Sequence, residues 1–192
     1  MELVEETRKI VPEDMPIFFR VSATDWLEDV SEVAESWTVD DTIKLAEILA
    51  DKGVDVLDIS TGGNHPLQHP HTGPAYQAPF AIKVKKHVGD RLAVSTAGMI
   101  ETGQLANDLL EKEGLDLVTI GRPFLKNPGL VFAWADELDV QVQMPNQVSS
   151  EPDPNNNETF QLTKMPQIRW GFGGRGKESG VHPVHEFPHL LQ

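Results

Sequence analysis

Blocks of apolar and polar residues alternate along most of the chain and predict four strand–helix pairs. The predicted strands are the runs IFFRVS, VDVLDIS, RLAVSTAG and LDLVTIG, which begin at Ile17, Val54, Arg91 and Leu115. A segment with helix signals follows each run, in residues 38–53, 80–87, 100–114 and 127–138. Strands that alternate with helices in this way predict right-handed βαβ crossovers and a parallel sheet.

Local signals set the ends of the helix over residues 38–53. Thr38 with Asp41 three residues later is typical of a helix start, and Gly53 is typical of a helix end. The next run, VDVLDIS, is nearly continuous in apolar residues and predicts a strand that is buried on both faces.

Both ends of the chain depart from the repeating pattern. The first residues, MELVEETRKI, resemble the second half of a helix, with apolar Leu3, Val4 and Ile10. Beyond residue 140 the chain is rich in Pro, Asn, Gly and Ser, which predicts a linker and a tail that is disordered or docked on a partner, in residues 141–192. Four βα units are half of the eight in a (β/α)8 barrel, so residues 1–140 predict an open half-barrel or part of something larger.

Composition narrows the class of protein without identifying it. The chain has 192 residues, no cysteine and a formal net charge of −14. Such acidity disfavours binding to nucleic acid or to an anionic membrane, and the apolar runs are too short to span a bilayer. The absence of cysteine excludes a disulfide framework and thiolate metal sites. We therefore expect a soluble, cytoplasmic protein.

The run LVTIGRPFLKNPGL places a glycine and an arginine directly after the last predicted strand. The carboxyl edge of a parallel sheet is where ligands bind, and Gly121 and Arg122 lie at this edge. An arginine at such a position is suited to an anion. The alternative is a simple turn with a surface salt bridge.

Six phrases, in order, resemble the carboxyl-terminal half of the Old Yellow Enzyme family, especially its bacterial and fungal ene-reductases. They are FFRVSATDW, VDVLDISTGGN, PAYQAPFA, LAVSTAGMI, LDLVTIGRPFLKNP and QIRWGF. The resemblance implies the fifth to eighth strands of a (β/α)8 barrel. It also implies FMN as cofactor, NADPH or NADH as reductant, and reduction of activated alkenes such as enones by flavin hydride transfer.

The resemblance assigns roles to particular residues. Arg20 corresponds to an arginine at the flavin N1/C2 carbonyl edge, where a guanidinium stabilises the reduced flavin. The alternative for Arg20 is an ion pair with an acidic residue of the next loop, Asp25 or Glu28.

The same resemblance places the FMN phosphate at the last two strands. Gly98 and Met99, in STAGM, and Gly121 and Arg122, in TIGRP, correspond to the phosphate-binding residues. Glycine lets the backbone approach a phosphate so that its N–H groups donate.

Other candidate residues have weaker roles. Tyr76 and Gln77, in PAYQ, are expected to order the loop before their helix, and the glycines of STGGN either border the flavin or form a turn. The histidines of HPLQHPH have no acidic partner nearby, so we expect no metal site. Arg169 and Trp170 resemble an arginine and an aromatic residue that some relatives insert into a neighbouring subunit's active site; a disordered tail is the alternative.

No catalytic residue is identified in this chain, because the family's histidine pair and proton-donating tyrosine belong to the first half of the barrel. We expect little or no turnover by the chain alone, and self-association or pairing with a complementing half-barrel. One alternative is a non-catalytic half-barrel that binds phosphate or flavin weakly or acts as a scaffold. Another is a different phosphate-binding barrel such as a sugar-phosphate isomerase, which Arg20 and the PAYQ loop disfavour.

Overall fold

The computed structural model describes residues 2–30, 33, 35–63 and 65–142. The helices are α1 (Glu2–Ile10), α2 (Val39–Asp51), α3 (Ala78–Val88), α4 (Gly103–Glu111), α5 (Arg122–Lys126) and α6 (Leu130–Glu137), and the strands are β1 (Phe18–Ser22), β2 (Val56–Ser60), β3 (Ala93–Ala97) and β4 (Leu117–Thr119). The chain divides into two compact units, Met1–Ile120 and Gly121–Gln192. Within the described ranges, no helix has the length and apolar character that crossing a membrane requires.

The first unit contains a four-stranded parallel sheet in the order β1-β2-β3-β4, as predicted. Each strand is shorter than the apolar run that predicted it, because the run also includes residues that lead into or out of the sheet. The register pairs Arg20 with Asp58 and Asp58 with Ser95. These three residues therefore lie side by side on one face of the sheet.

Helices cover the other face of the sheet and form the core. Leu57, Ile59, Val94 and Thr96 point to this face and are each 0% exposed. Helix α3 packs on β2 and β3, and α2 packs against α3. On the opposite face Val56 is buried but Asp58 and Ser60 are only half-buried, so β2 is fully buried on one face and partly buried on the other.

We call the opposite side of the sheet the open face, defined by Phe18, Arg20, Asp58, Leu117 and Thr119. Phe18 is 61% and Leu117 39% exposed. Arg20 and Thr119, on the same face, are also exposed. Polar side chains of the open face are therefore available to a ligand or to further chain.

Helix α2 begins and ends as predicted. The Asp41 carboxylate accepts hydrogen bonds from the Thr38 backbone N–H at 3.2 Å and from the Thr38 hydroxyl at 2.7 Å. These bonds hold the pKa of Asp41 below its usual value, with the hydroxyl bond contributing most. Gly53 follows the helix with a φ of +75°, which glycine adopts at little cost.

Helix α1 is a helix of nine residues that is fixed mainly by polar contacts. Of its apolar residues only Val4 is buried, whereas Leu3 and Ile10 are exposed. Its Arg8 guanidinium lies 2.8 Å from the Asp55 carboxylate, which also accepts a hydrogen bond from the Ile17 N–H at 2.7 Å. The Ile17 bond, followed by Arg8, holds the pKa of Asp55 below its usual value.

The second unit begins with two short helices where the sequence predicted one. Helix α5 occupies RPFLK because Pro123 lies in its first turn, where a missing backbone N–H costs nothing. Asn127 is extended before Pro128, which separates α5 from α6. Of the predicted tail, only residues 141 and 142 are described.

Candidate functional site

Arg20 projects from β1 on the open face and pairs with Asp58 of the neighbouring strand. Its Nε lies 3.1 Å from Asp58 Oδ2, and the side chains are 56% and 13% exposed. The alternative that Arg20 pairs with Asp25 or Glu28 is wrong. The Asp25 carboxylate accepts the Trp37 N–H at 2.9 Å, and Glu28 accepts a threonine hydroxyl of its own loop.

Asp58 belongs to a chain of polar side chains that crosses the sheet. Its Oδ1 accepts a hydrogen bond from the Thr119 hydroxyl at 3.1 Å, and Thr119 Oγ1 lies 2.8 Å from Ser95 Oγ. Arg20, Asp58, Ser95 and Thr119 thus connect all four strands. Sequence reasoning missed Asp58, Ser95 and Thr119. The available signal was an aspartate inside the apolar run VLDIS, in the position that pairs with Arg20 of the preceding strand.

The turn after β3 contains two backbone donors, Gly98 and Met99, that have no partner among the residues the structure describes. Gly98 has a φ of +106° and Met99 a φ of +52°, so both adopt left-handed conformations. Neither N–H donates a hydrogen bond to a described residue. Since this turn follows the carboxyl end of a strand, its N–H groups lie where parallel barrels bind ligands.

Tyr76 and Gln77 make Gly98 a necessary glycine. A Cβ at Gly98 would lie 2.7 Å from both Gln77 Nε2 and Tyr76 Cε1. Gln77 is buried, and its Oε1 accepts a hydrogen bond from the Thr61 hydroxyl at 3.0 Å. Gln77 thus connects the start of the loop after β2 to the turn after β3, and Tyr76 lies against the same turn.

In the second unit, Gly121 precedes α5 and Arg122 is its first residue. A Cβ at Gly121 would meet no atom within 4 Å, and its φ is −104°, so the described structure does not itself demand glycine there. Arg122 is exposed and forms no ion pair with another residue in the described part of the chain. Arg169 and Trp170 lie outside the described residues.

Two histidines in the loop after β2 make contacts that stabilise the loop. His65 Nδ1 accepts a hydrogen bond from the Leu67 N–H at 3.2 Å, and the His71 ring packs edge-on against Trp26 at 5.9 Å. In the part of the chain that the structure describes, no three His, Cys, Asp or Glu side chains are grouped to hold a metal ion.

Comparisons with known proteins agree with the predicted resemblance. Over 183 residues the chain is 46% identical to an NADH:flavin oxidoreductase of Gibberella zeae, covering 92% of this chain and 39% of that protein. It is 32% identical over 146 residues to an NADPH dehydrogenase of Geobacillus thermodenitrificans, covering 76% of this chain and 40% of the relative. The chain thus spans less than half the length of these curated relatives.

Among solved structures, a mandelate oxidase matches with a TM-score of 0.44 at 20% identity, over 65% of this chain and 30% of that one. A ligand-free DHODH from Eimeria tenella also matches with a TM-score of 0.44 at 20% identity, over 63% of this chain and 34% of that one.

The family model described as the NADH:flavin oxidoreductase / NADH oxidase family matches residues 1–141. This match confirms the predicted Old Yellow Enzyme resemblance, and the names of the relatives agree with the predicted flavin and nicotinamide chemistry. The four parallel strands and their helices are accordingly a partial (β/α)8 barrel. The chain belongs to the NADH:flavin oxidoreductase / NADH oxidase family.

Proposed function

We propose that this chain forms the carboxyl-terminal part of an FMN-dependent NAD(P)H oxidoreductase that reduces activated alkenes such as enones. When bound, FMN supplies hydride transfer from the nicotinamide to the alkene. The groups that hold the substrate carbonyl lie in residues that this chain does not contain, so the chain alone turns over little or no substrate. The length of the curated relatives supports this division.

Arg20 carries the proposal, because its charge faces the open side of the sheet. The contact of Arg20 with Asp58 is through Nε, and no hydrogen bond joins the two terminal nitrogens to a described residue, so they can donate to a ligand. A guanidinium fixed beside the N1 and C2 carbonyl edge of a flavin stabilises the negative charge that reduction leaves there. Its donor chemistry therefore fits the isoalloxazine ring.

The turn at Gly98 and Met99 suits a phosphate. Its two N–H groups lack partners among the described residues, and a phosphate oxygen is a strong acceptor for such groups. Tyr76 and Gln77 hold this turn in a conformation that only glycine tolerates at its first position. The donors are therefore arranged before a ligand arrives, which lowers the cost of binding.

Arg122 is proposed as a cationic contact to the FMN phosphate, with Gly121 beside it allowing close approach. Its support is the family resemblance together with an exposed guanidinium that has no acidic partner among the described residues. A charge-assisted contact to a phosphate acts on FMN but not on riboflavin, which lacks that group.

The test compares FMN with riboflavin by fluorescence titration of the purified chain. Arg122→Ala should weaken FMN binding by about tenfold or more and leave riboflavin nearly unchanged, since a hydrogen bond to a charged group contributes about 1.5–3 kcal/mol. Arg91→Ala is the matched control, because Arg91 pairs with the exposed Asp51 elsewhere on the surface. Equal losses for FMN and riboflavin would show that Arg122 does not bind the phosphate.

Turnover separates the proposed enzyme from its alternatives. With NADPH, FMN and a cyclic enone, the chain should reduce the alkene no faster than free FMN does. Saturable reduction would contradict the proposed division of the site. The chain could also bind flavin through its phosphate and still show no turnover after the amino-terminal half-barrel of a relative is added. That result would favour the non-catalytic half-barrel. Size-exclusion chromatography tests the proposed homo-oligomer or paired half-barrel.

A further inference from the structure

Both carboxylate oxygens of Asp58, the acidic partner of Arg20 on the open face, have a partner. Asp58 Oδ2 contacts Arg20 Nε at 3.1 Å, while Oδ1 accepts the Thr119 hydroxyl at 3.1 Å. Thr119 in turn contacts Ser95 at 2.8 Å. Because each partner comes from a different strand of one sheet, the carboxylate has little freedom to move.

Burial explains why Asp58 keeps these partners. Its side chain is only 13% exposed, and a carboxylate removed from water is costly unless it is paired and hydrogen-bonded. The Arg20 side chain is 56% exposed and leaves the sheet on a long, flexible stem. An exposed arginine has considerable rotamer freedom, and contact through Nε restricts that freedom while leaving the terminal nitrogens available.

We propose that Asp58 is a positioning residue that orients Arg20 toward the isoalloxazine ring of FMN, with Thr119 fixing the orientation of Asp58. This inference rests on the proposed function. It predicts that Asp58 acts on the flavin only through Arg20, and on the ring rather than on the phosphate. Both features distinguish it from a general structural role.

The first readout needs no flavin. In an NMR spectrum of the ¹⁵N-labelled chain, the Arg20 Nε–H resonance, assigned by its loss in Arg20→Gln, should shift in Asp58→Asn and exchange faster with water. Asp51→Asn, which removes the partner of Arg91 on the surface, is the matched control and should leave the Arg20 signal unchanged. An unchanged signal in Asp58→Asn overturns the inference.

The second readout is flavin affinity. Asp58→Asn should weaken FMN and riboflavin equally, by about tenfold, as expected for coupled residues in contact. In the Arg20→Gln background the same substitution should cause no further loss. Loss of FMN binding alone, or an additive loss in the double variant, overturns the inference.

A milder variant keeps the test decisive if Asp58→Asn unfolds the chain. Thr119→Val removes the hydroxyl that fixes Asp58 while retaining the ion pair, and should weaken both flavins by a smaller, equal factor. If the unaltered chain binds flavin and Thr119→Val leaves that binding unchanged, the inference alone is overturned. Absence of flavin binding by the unaltered chain overturns the flavin contacts proposed for its residues, and the inference with them.

Discussion

Replacing Gly98 by alanine tests the packing of the turn after β3. The new Cβ would lie 2.7 Å from both Gln77 Nε2 and Tyr76 Cε1, at a φ of +106°. Holding an L-residue in a left-handed conformation costs about 1–2 kcal/mol. Overpacking of a close contact adds about 1–3 kcal/mol. We therefore expect Gly98→Ala to lower the free energy of unfolding by about 2–5 kcal/mol, the sum of these two costs.

Urea unfolding of the chain, followed by circular dichroism, measures this difference through the midpoint at constant m-value. Gly114→Ala is the matched control, since Gly114 has a φ of +73° but a Cβ there would meet nothing within 4 Å. Gly114→Ala should lower the free energy of unfolding only by the conformational cost, about 1–2 kcal/mol. Adding Tyr76→Ala to Gly98→Ala should recover part of the steric loss. Equal losses in the two glycine variants would refute the steric reasoning.

Three further substitutions test caps, buried bonds and charge by the same unfolding assay. Thr102→Ala removes the acceptor of the Leu105 N–H at 3.1 Å and should cost about 0.5–2 kcal/mol; no loss would mean that α4 needs no cap. The Trp37 indole N–H donates to the Thr42 hydroxyl at 2.7 Å. Thr42→Val removes this acceptor and should lower the free energy of unfolding by about 1–3 kcal/mol, whereas Thr42→Ser keeps a hydroxyl and should lower it less. The folded pKa of Asp55 lies below the unfolded value of 3.8, so its charge stabilises the fold above that pH and ceases to do so as the pH falls through the folded pKa. The stability gap between the chain and Asp55→Asn should therefore narrow on acidification, and a constant gap would contradict this.

The parallel sheet could be predicted because its signals are local. Leu57 and Ile59 belong to a continuous apolar run, and both are 0% exposed in the structure. Thr38 and Asp41 mark the start of α2 through contacts three residues apart. Such features depend on neighbouring residues, so one sequence is sufficient to find them.

The errors have equally specific causes. Helix α5 was missed because its five residues are too few to show a helical period, although Pro123 is well suited to a first helical turn. In α1, the apolar residues Leu3 and Ile10 are exposed, and Arg8 ties the helix to Asp55 next to β2. Long-range ion pairs of this kind leave no periodic pattern in a sequence.

The candidate site shows the same limit. Arg20 could be singled out as a charge within an apolar strand, but its partner could not. Pairing Arg20 with Asp58 requires the register of two strands whose partners are 38 positions apart, and a shift of one residue would put Asp58 on the other face. Sequence alone does not determine that register.

The order of the strands bears on how the chain folds. Each strand pairs with the next strand along the chain, so no strand must wait for a distant segment before it finds a neighbour. Loop-closure entropy grows slowly, by about 0.6 kcal/mol per doubling of loop length, so the differences in length between the connections cost little. The sheet can therefore grow by adding one βα unit at a time, as repeat proteins do. Amide protons of β2 and β3, which have neighbours on both sides, should consequently exchange last and those of β1 and β4 earlier.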